Sequence, residues 1–120
     1  MSKTLSLAKE LISRKSITPE DDGCQDLLIN RLEKLGFKIE KMPNADVQNF
    51  YAKKGSSGPL IVFAGHTDVV PPGPLDKWLS DPFKPTIRGE VLYGRGAADM
   101  KTSLAAFIIS IEEFISENPD

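Results

Sequence analysis

The single histidine of the 120-residue chain lies two positions before an aspartate, in the segment GHTDVVPPG at residues 65–73. Residues 60–64 directly before it are apolar or small, a pattern typical of a strand covered on both faces. Extended backbone places side chains two positions apart on one face, and sites in α/β sheets lie beyond the carboxyl ends of strands. His66 could bind a metal ion there while Asp68 fixes its tautomer. The two side chains could equally form a hydrogen-bonded pair of purely structural importance.

A second candidate is Asp99, in the segment LYGRGAADMKTS at residues 92–103. Gly-x-Gly before a helix is also part of a dinucleotide-binding fingerprint, but Asp99 stands where that fingerprint requires a third glycine. The nucleotide interpretation is therefore disfavoured. A carboxylate here could bridge two metal ions, which lie roughly 3.5–4 Å apart in two-metal hydrolytic sites. An aspartate immediately before a helix could instead be only the N-terminal cap of that helix.

The remaining sequence predicts the elements that would position these side chains. Apolar residues at helical spacing predict helices over residues 4–13, 24–35 and 100–117, and the third helix should be deeply buried. Gly36 is predicted to end the second helix in a left-handed conformation. Alternating patterns and turn residues predict strands over 37–42 and 47–54 and a hairpin over 86–94.

Composition excludes several classes of function. With 15 basic and 17 acidic residues and a net charge of −2, the chain has no electrostatic signature of a nucleic-acid or anionic-membrane partner. One cysteine permits no internal disulfide, and the N-terminus lacks the apolar region and cleavage site of a signal peptide. We therefore expect a cytoplasmic protein.

Several other residues receive structural interpretations only. Trp78 and Phe83 are expected to pack a proline-rich loop onto the body, and Cys24 to have no role beyond starting a helix. Solvated positions are expected for four charged residues: Arg95, Lys101, Glu112 and Glu113.

The segments GHTDVVPPG and LYGRGAADMK resemble the two N-terminal signatures of the M20 metallopeptidase and amidohydrolase family. The resemblance extends through KWLSDPFKPTIRGEVLYG between them to essentially the whole chain. It implies an α/β fold, the N-terminal part of a zinc-peptidase-like α/β/α sandwich with a mixed sheet. Residues 1–120 would be the N-terminal segment of the catalytic, metal-binding domain, without the lid and dimerisation domain and the C-terminal catalytic segment. Such an incomplete sheet should expose an edge and an apolar face.

The resemblance also implies roles for the three candidate residues. His66 would ligate one of two zinc ions, Asp99 would bridge both, and Asp68 would be the catalytic-site carboxylate that orients His66. Co²⁺ is a possible substitute for Zn²⁺. The peptide bond from Asp99 to Met100 is expected to be cis. The general-base glutamate and the remaining ligands would lie outside this sequence, so the isolated chain should bind metal weakly and be inactive.

The implied reaction is hydrolysis of an amide bond by a metal-activated water molecule. The wordings VVPPG and GRGAADMK are most similar to members that remove succinate from an N-succinylated diamino acid, a small-molecule substrate of bacterial lysine and diaminopimelate synthesis. The complete enzyme would be a homodimer. Two alternatives remain open. One is another family amidohydrolase, such as an acetylornithine deacetylase or an aminoacylase, and the other is a non-enzymatic remnant whose His66 and Asp99 bind nothing.

Overall fold

Three helices, all at positions predicted from the sequence, form the body of the computed structural model, which describes residues 2–119. Their bounds are α1 Lys3–Ile12, α2 Cys24–Lys34 and α3 Thr102–Glu117. α1 begins after Ser2, whose side-chain oxygen accepts a hydrogen bond from the Leu5 N–H at 3.1 Å, as an N-terminal cap does. Gly36 follows α2 with a φ of 88°, which confirms the predicted left-handed termination.

The helices meet in one hydrophobic core, in which α1 packs along α3. The core consists of these buried side chains: Leu7, Ala8, Leu11, Cys24, Leu28, Leu32, Leu104, Ala105, Ile108 and Ile109. Their spacing of three and four positions places the buried residues of each helix on one face. Full burial of an aliphatic side chain of this kind contributes about 1.5–3 kcal/mol. The core therefore gives α3, and the turn that precedes it, a fixed platform.

α3 is buried on one face only, which corrects the prediction of deep burial. Ala105 and Ile108 are 0% and 6% exposed in the core, whereas Phe114 is 65% exposed. Phe107 stacks on the ring of Phe63, with 4.8 Å between the ring centroids. Apolar residues on several sides of α3 predict that other elements cover each of those sides. In the described part of the chain, α1 and α2 pack against one side of it. No helix in this part is long and apolar enough to cross a membrane.

The strands form two antiparallel hairpins, with bounds β1 Lys38–Lys41, β2 Phe50–Lys53, β3 Thr86–Arg88 and β4 Val91–Tyr93. Each strand lies within a segment that the sequence predicts to be extended. Gly89 turns the second hairpin with a φ of 63°. The predicted α/β class is confirmed, and the described strands form these two hairpins rather than a single mixed sheet.

The apolar segment 60–64 does not form the predicted covered strand. Leu60 and Ile61 are 70% and 81% exposed, and no strand of the described chain pairs with the segment. A continuous apolar run predicts a strand that neighbours cover on both faces, and the described residues supply no such neighbours. Beyond the segment, Val69 forms an isolated parallel β-bridge with Ile17. The exposed apolar side chains therefore lie on an unpaired segment rather than on a face of a sheet.

Candidate metal centre

The three residues singled out by the sequence lie at one cleft of about 190 Å³. His66 and Asp68 follow the exposed apolar segment, and Asp99 lies in the turn before α3. The cleft is also lined by Thr18, Val69, Val70, Gly94, Arg95, Gly96 and Ala98. The fold thus brings together two signatures that are 33 positions apart at His66 and Asp99.

His66 is held between a backbone oxygen and a carboxylate. Its Nδ1 lies 2.9 Å from the Asp68 carbonyl oxygen, and its Nε2 lies 3.0 Å from Oδ1 of Asp99. A carbonyl and a carboxylate oxygen can only accept hydrogen bonds, so Nδ1 carries a proton and Nε2 faces a negative group. A second ring proton, or a cation between Nε2 and the carboxylate, satisfies this arrangement.

The surroundings raise the pKa of His66 above its usual 6.5. Partial burial lowers this pKa, but the hydrogen bonds to the Asp68 carbonyl and the Asp99 carboxylate, with the charges of both aspartates, outweigh that effect. The His66 side chain is 45% exposed, so solvent screens part of the attraction. The surroundings of His66 therefore favour a positive charge at Nε2, which faces the Asp99 carboxylate.

Asp68 is held by a hydroxyl that the sequence did not single out. The Thr18 hydroxyl donates a hydrogen bond to Oδ2 of Asp68, and Oδ1 of the same carboxylate lies 3.3 Å from Nδ1 of His66. The Thr18 N–H also donates to the Val69 carbonyl oxygen at 3.1 Å. Asp68 therefore reaches His66 through both its backbone and its carboxylate. Nothing in the loop sequence SITPEDDG distinguishes Thr18 from an ordinary loop residue.

Asp99 lies in a wide turn over Ala97–Lys101, closed by the Lys101 N–H, which donates to the Gly96 carbonyl oxygen at 2.8 Å. The Asp99 side chain is 83% exposed and accepts from His66. Among the described residues no helix N–H donates to it, so the interpretation of Asp99 as an N-terminal cap is wrong. The peptide bond from Asp99 to Met100 is cis, as expected.

Two glycines allow the turn and the His66 segment to approach each other. A Cβ atom at Gly96, whose φ is 89°, would lie 2.8 Å from Cγ1 of Val69. A Cβ atom at Gly65 would lie 2.8 Å from Cδ2 of Leu104 and 2.9 Å from Cε of Met100. A side chain at Gly96 would meet Val69 and be strained by the positive φ, whereas one at Gly65 would require the ends of the Leu104 and Met100 side chains to move.

Lys101 is buried, which corrects the expectation that its side chain is solvated. The residue is 0% exposed, and its Nζ donates hydrogen bonds to the carbonyl oxygens of Leu11 at 2.7 Å and Arg14 at 2.9 Å. Burial lowers the pKa of its ammonium group, while the nearby Cys24 thiol acts in the opposite direction. A lysine that follows a glycine-rich turn and opens an apolar helix carries no sequence signal that separates a buried anchor from a surface charge.

Trp78, Phe83 and Glu112 do not line the cleft, whereas Arg95 does. Phe83 is buried at 8% exposure, and Trp78 is half-buried with the Arg95 guanidinium 5.1 Å from its ring centroid, so both pack the loop as expected. Glu112 is half-buried and pairs with Arg31 at 2.8 Å, which corrects the expectation of a solvated side chain.

Comparison with known proteins shows what the chain is similar to. Residues 62–120 match the family model described as Peptidase family M20/M25/M40. Over 120 residues the chain is 65% identical to a succinyl-diaminopimelate desuccinylase of Methylobacillus flagellatus, and over 119 residues it is 58% identical to that of Thiobacillus denitrificans. The chain spans 32% and 30% of those two relatives, about a third of their length.

Two solved structures share the fold of this chain. An M20 family metallo-carboxypeptidase from Sulfolobus solfataricus matches it with a TM-score of 0.87 and 28% identity, over 98% of this chain and 28% of the other. Human carnosine dipeptidase 1 matches with a TM-score of 0.84 and 26% identity, over 98% of this chain and 29% of the other. The predicted relationship to the fold of this family is confirmed.

The side chains of His66 and Asp99 fit part of a metal centre. Two ligands of one tetrahedral zinc, each about 2.1 Å from the ion, lie about 3.4 Å apart. Nε2 of His66 and Oδ1 of Asp99 lie 3.0 Å apart, close to that separation, and imidazole and carboxylate are both zinc ligands. Within residues 2–119, no group of three or more His, Cys, Asp or Glu side chains is placed to hold an ion. The described chain thus offers two donor side chains, whereas a catalytic zinc usually has about three.

Proposed function

We propose that this chain supplies metal ligands to a two-zinc amidohydrolase that converts N-succinyl-LL-2,6-diaminopimelate to succinate and LL-2,6-diaminopimelate. One observation carries the proposal: Nε2 of His66 and Oδ1 of Asp99, from two separate signatures, lie 3.0 Å apart. The names of the relatives that are 58–65% identical support the choice of substrate. The same relationship underlies two smaller proposals, a homodimeric complete enzyme and a cytoplasmic location.

In this proposal each of the three side chains has a separate task. His66 offers Nε2 to one zinc ion, because its Nδ1 proton is already donated to the Asp68 carbonyl oxygen. Asp68 keeps the imidazole in that tautomer and orientation, with its carboxylate held in turn by the Thr18 hydroxyl. Asp99 offers an exposed carboxylate with two oxygens, which suits a bridging ligand.

The zinc ions, when bound, polarise the amide carbonyl and lower the pKa of a water molecule toward neutrality, and Co²⁺ can substitute for them in this proposal. In this proposal the described residues bind and orient the metal ions, and none of them acts as the general base that transfers the proton. Glu112, a glutamate on α3, is paired with Arg31 and does not line the cleft. We therefore propose that the 120-residue chain is inactive alone.

Zinc titration of the metal-free chain tests the ligand roles. His66→Ala and Asp99→Ala should each weaken zinc binding by at least about tenfold, because each removes a direct ligand. Asp76→Ala is the matched control, since it removes an exposed carboxylate outside the cleft. Equal affinities in all four proteins would show that His66 and Asp99 are not ligands and would favour the non-enzymatic alternative.

A chimera tests the reaction. Residues 1–120 replace the matching segment of the Methylobacillus flagellatus desuccinylase, to which they are 65% identical. We expect release of succinate from the N-succinyl substrate by the chimera, and none by its Asp99→Ala version or by the 120-residue chain alone. A folded, zinc-loaded chimera that leaves the succinyl substrate intact but hydrolyses N-acetylornithine would support the acetylornithine deacetylase alternative.

A further inference from the structure

We propose that Lys101 is the positioning residue for Asp99, acting by fastening the turn Ala97–Lys101 to the C-terminal end of α1. The importance of that position for metal binding rests on the proposed function. The geometry that carries the inference does not, because it consists of hydrogen bonds and burial within the chain itself.

The anchor is the end of α1. The last four carbonyl groups of a helix have no partner within the helix, and the negative end of its dipole favours a cation. Nζ of Lys101 lies at this end, 2.7 Å from the Leu11 carbonyl oxygen and 2.9 Å from that of Arg14, just past the last turn. These bonds span 90 and 87 positions of sequence, so they join two distant segments directly.

The turn is fixed at both its backbone and its side chain. The Lys101 N–H closes the turn on the Gly96 carbonyl oxygen at 2.8 Å. The lysine methylenes then run against Gly96, where a Cβ atom would lie 3.1 Å from Cδ and 3.3 Å from Cγ of Lys101. Asp99, two positions earlier, is 83% exposed and has no packing of its own to define its position. The position of Asp99, the proposed metal ligand, is therefore set by the buried Lys101 side chain.

Other functions of Lys101 fit the structure less well. Nζ does not line the cleft, so the lysine does not touch a substrate there. Among the described residues no carboxylate lies within ion-pair distance of it, so it does not hold Asp99 through charge. A buried lysine whose ammonium donates to two carbonyl oxygens and lies beside the Cys24 thiol, with no carboxylate partner among the described residues, is costly, and simple core packing would be served better by an apolar side chain.

A metal-free measurement tests the positioning directly. His66 is the only histidine, so its ring NMR signals report the contact with Asp99 without ambiguity. Lys101→Met, at neutral pH, should move these signals in the same direction as Asp99→Asn, and Lys101→Gln, which retains N–H donors on a shorter arm, should move them less. Arg31→Met is the control, because it removes a half-buried cation away from the cleft, and it should leave the signals in place.

Zinc affinity in a double-mutant cycle gives the second readout. Lys101→Met should weaken zinc binding about tenfold in the wild-type chain and less than about twofold in the Asp99→Ala chain, since it acts through Asp99. If the wild type binds no zinc, the proposed function fails while the NMR comparison still decides the role of Lys101. Unmoved His66 signals, equal weakening in both backgrounds, or failure of both lysine variants to fold by circular dichroism would overturn the proposal.

Discussion

Asp99 and His66 reach the same cleft from regions that are stabilised in different ways. Asp99 precedes α3, whose Ala105 and Ile108 are buried in the helical core, and its turn is tied to α1 by a buried lysine. His66 follows the exposed segment 60–64, which has no ladder partner in the described chain. The Asp99 region is held by apolar burial together with the hydrogen bonds of Lys101, whereas the His66 region is held by polar side chains that hydrogen-bond its backbone and its neighbour.

The hydrogen bonds that hold the His66 region are centred on its neighbour Thr67. The Thr67 carbonyl oxygen accepts from the Ser16 hydroxyl at 2.7 Å, and the Thr67 hydroxyl donates to Oδ1 of Asp21 at 2.8 Å. Asp21 also accepts from the Gln25 N–H at 3.0 Å, near the start of α2. The difference shows that a residue on an exposed segment can be located well when the next residue is buried in a satisfied polar network.

The largest effect should come from breaking the packed region. Leu11→Ala removes a side chain that is 0% exposed in the helical core, and such substitutions lower the free energy of unfolding by about 2–5 kcal/mol. Urea denaturation followed by circular dichroism measures this change. Leu79→Ala, at a position that is 89% exposed, is the control and should leave stability unchanged. A loss below about 1 kcal/mol at Leu11 would contradict a tightly packed α1.

Breaking the polar network should cost less stability but affect the site more. Thr67→Val deletes the hydroxyl that Asp21 accepts from, and a buried polar group left without its partner costs about 1–3 kcal/mol. The His66 ring NMR signals should shift at the same time, because the neighbouring backbone is released. Thr86→Val removes an exposed hydroxyl bond to the Lys84 carbonyl oxygen and serves as the control. Unshifted signals together with unchanged stability would show that the network does not locate His66.

A smaller effect should follow from changing the exposed segment. Ile61 is 81% exposed, so Ile61→Lys should change the free energy of unfolding by less than about 0.5 kcal/mol. The substitution should reduce binding of the dye ANS and the tendency to aggregate, because it interrupts an exposed apolar run. Leu32→Lys, at a position with 5% exposure, is the contrasting variant and should unfold the chain. Loss of folding in Ile61→Lys would mean that the segment is covered in solution.

The last effect concerns pH and the core beside Lys101. Burial raises the pKa of Cys24 above its reference of 9.0, with Lys101 opposing that shift. The unfolded chain therefore loses the thiol proton first, and the contribution of Cys24 to stability falls as pH rises above that reference, by at most about 1.4 kcal/mol per pH unit. The stability of wild type relative to Cys24→Ala should fall over this range. A difference that stays flat in urea denaturation would contradict a buried, neutral thiol.

Helices and hairpins could be predicted from the sequence because their signals are local. The apolar spacing of Ala8, Leu11 and Ile12 extends over one or two helical turns, and Gly36 ends the helix that directly precedes it. The pairing of His66 with Asp99 was predicted only through the resemblance to a family, since spacing alone left each with a structural interpretation. The burial of Lys101 could not be predicted, because its partners are carbonyl groups some 90 positions away, which any residue type provides.

The bonds that Lys101 and Ser16 make also set an order of events in folding. α1 is synthesised before Lys101, the partner of its end, which lies 90 positions after Leu11, and the partner of the Ser16 hydroxyl lies 51 positions after Ser16. Closing loops of this length costs chain entropy that local helix formation does not, so these contacts form after the helices. The Leu11 carbonyl oxygen can accept from the nearby Arg14 N–H as soon as α1 forms, but its bond to Lys101 waits until that residue leaves the ribosome. The cleft is therefore assembled late, on a segment that was made earlier.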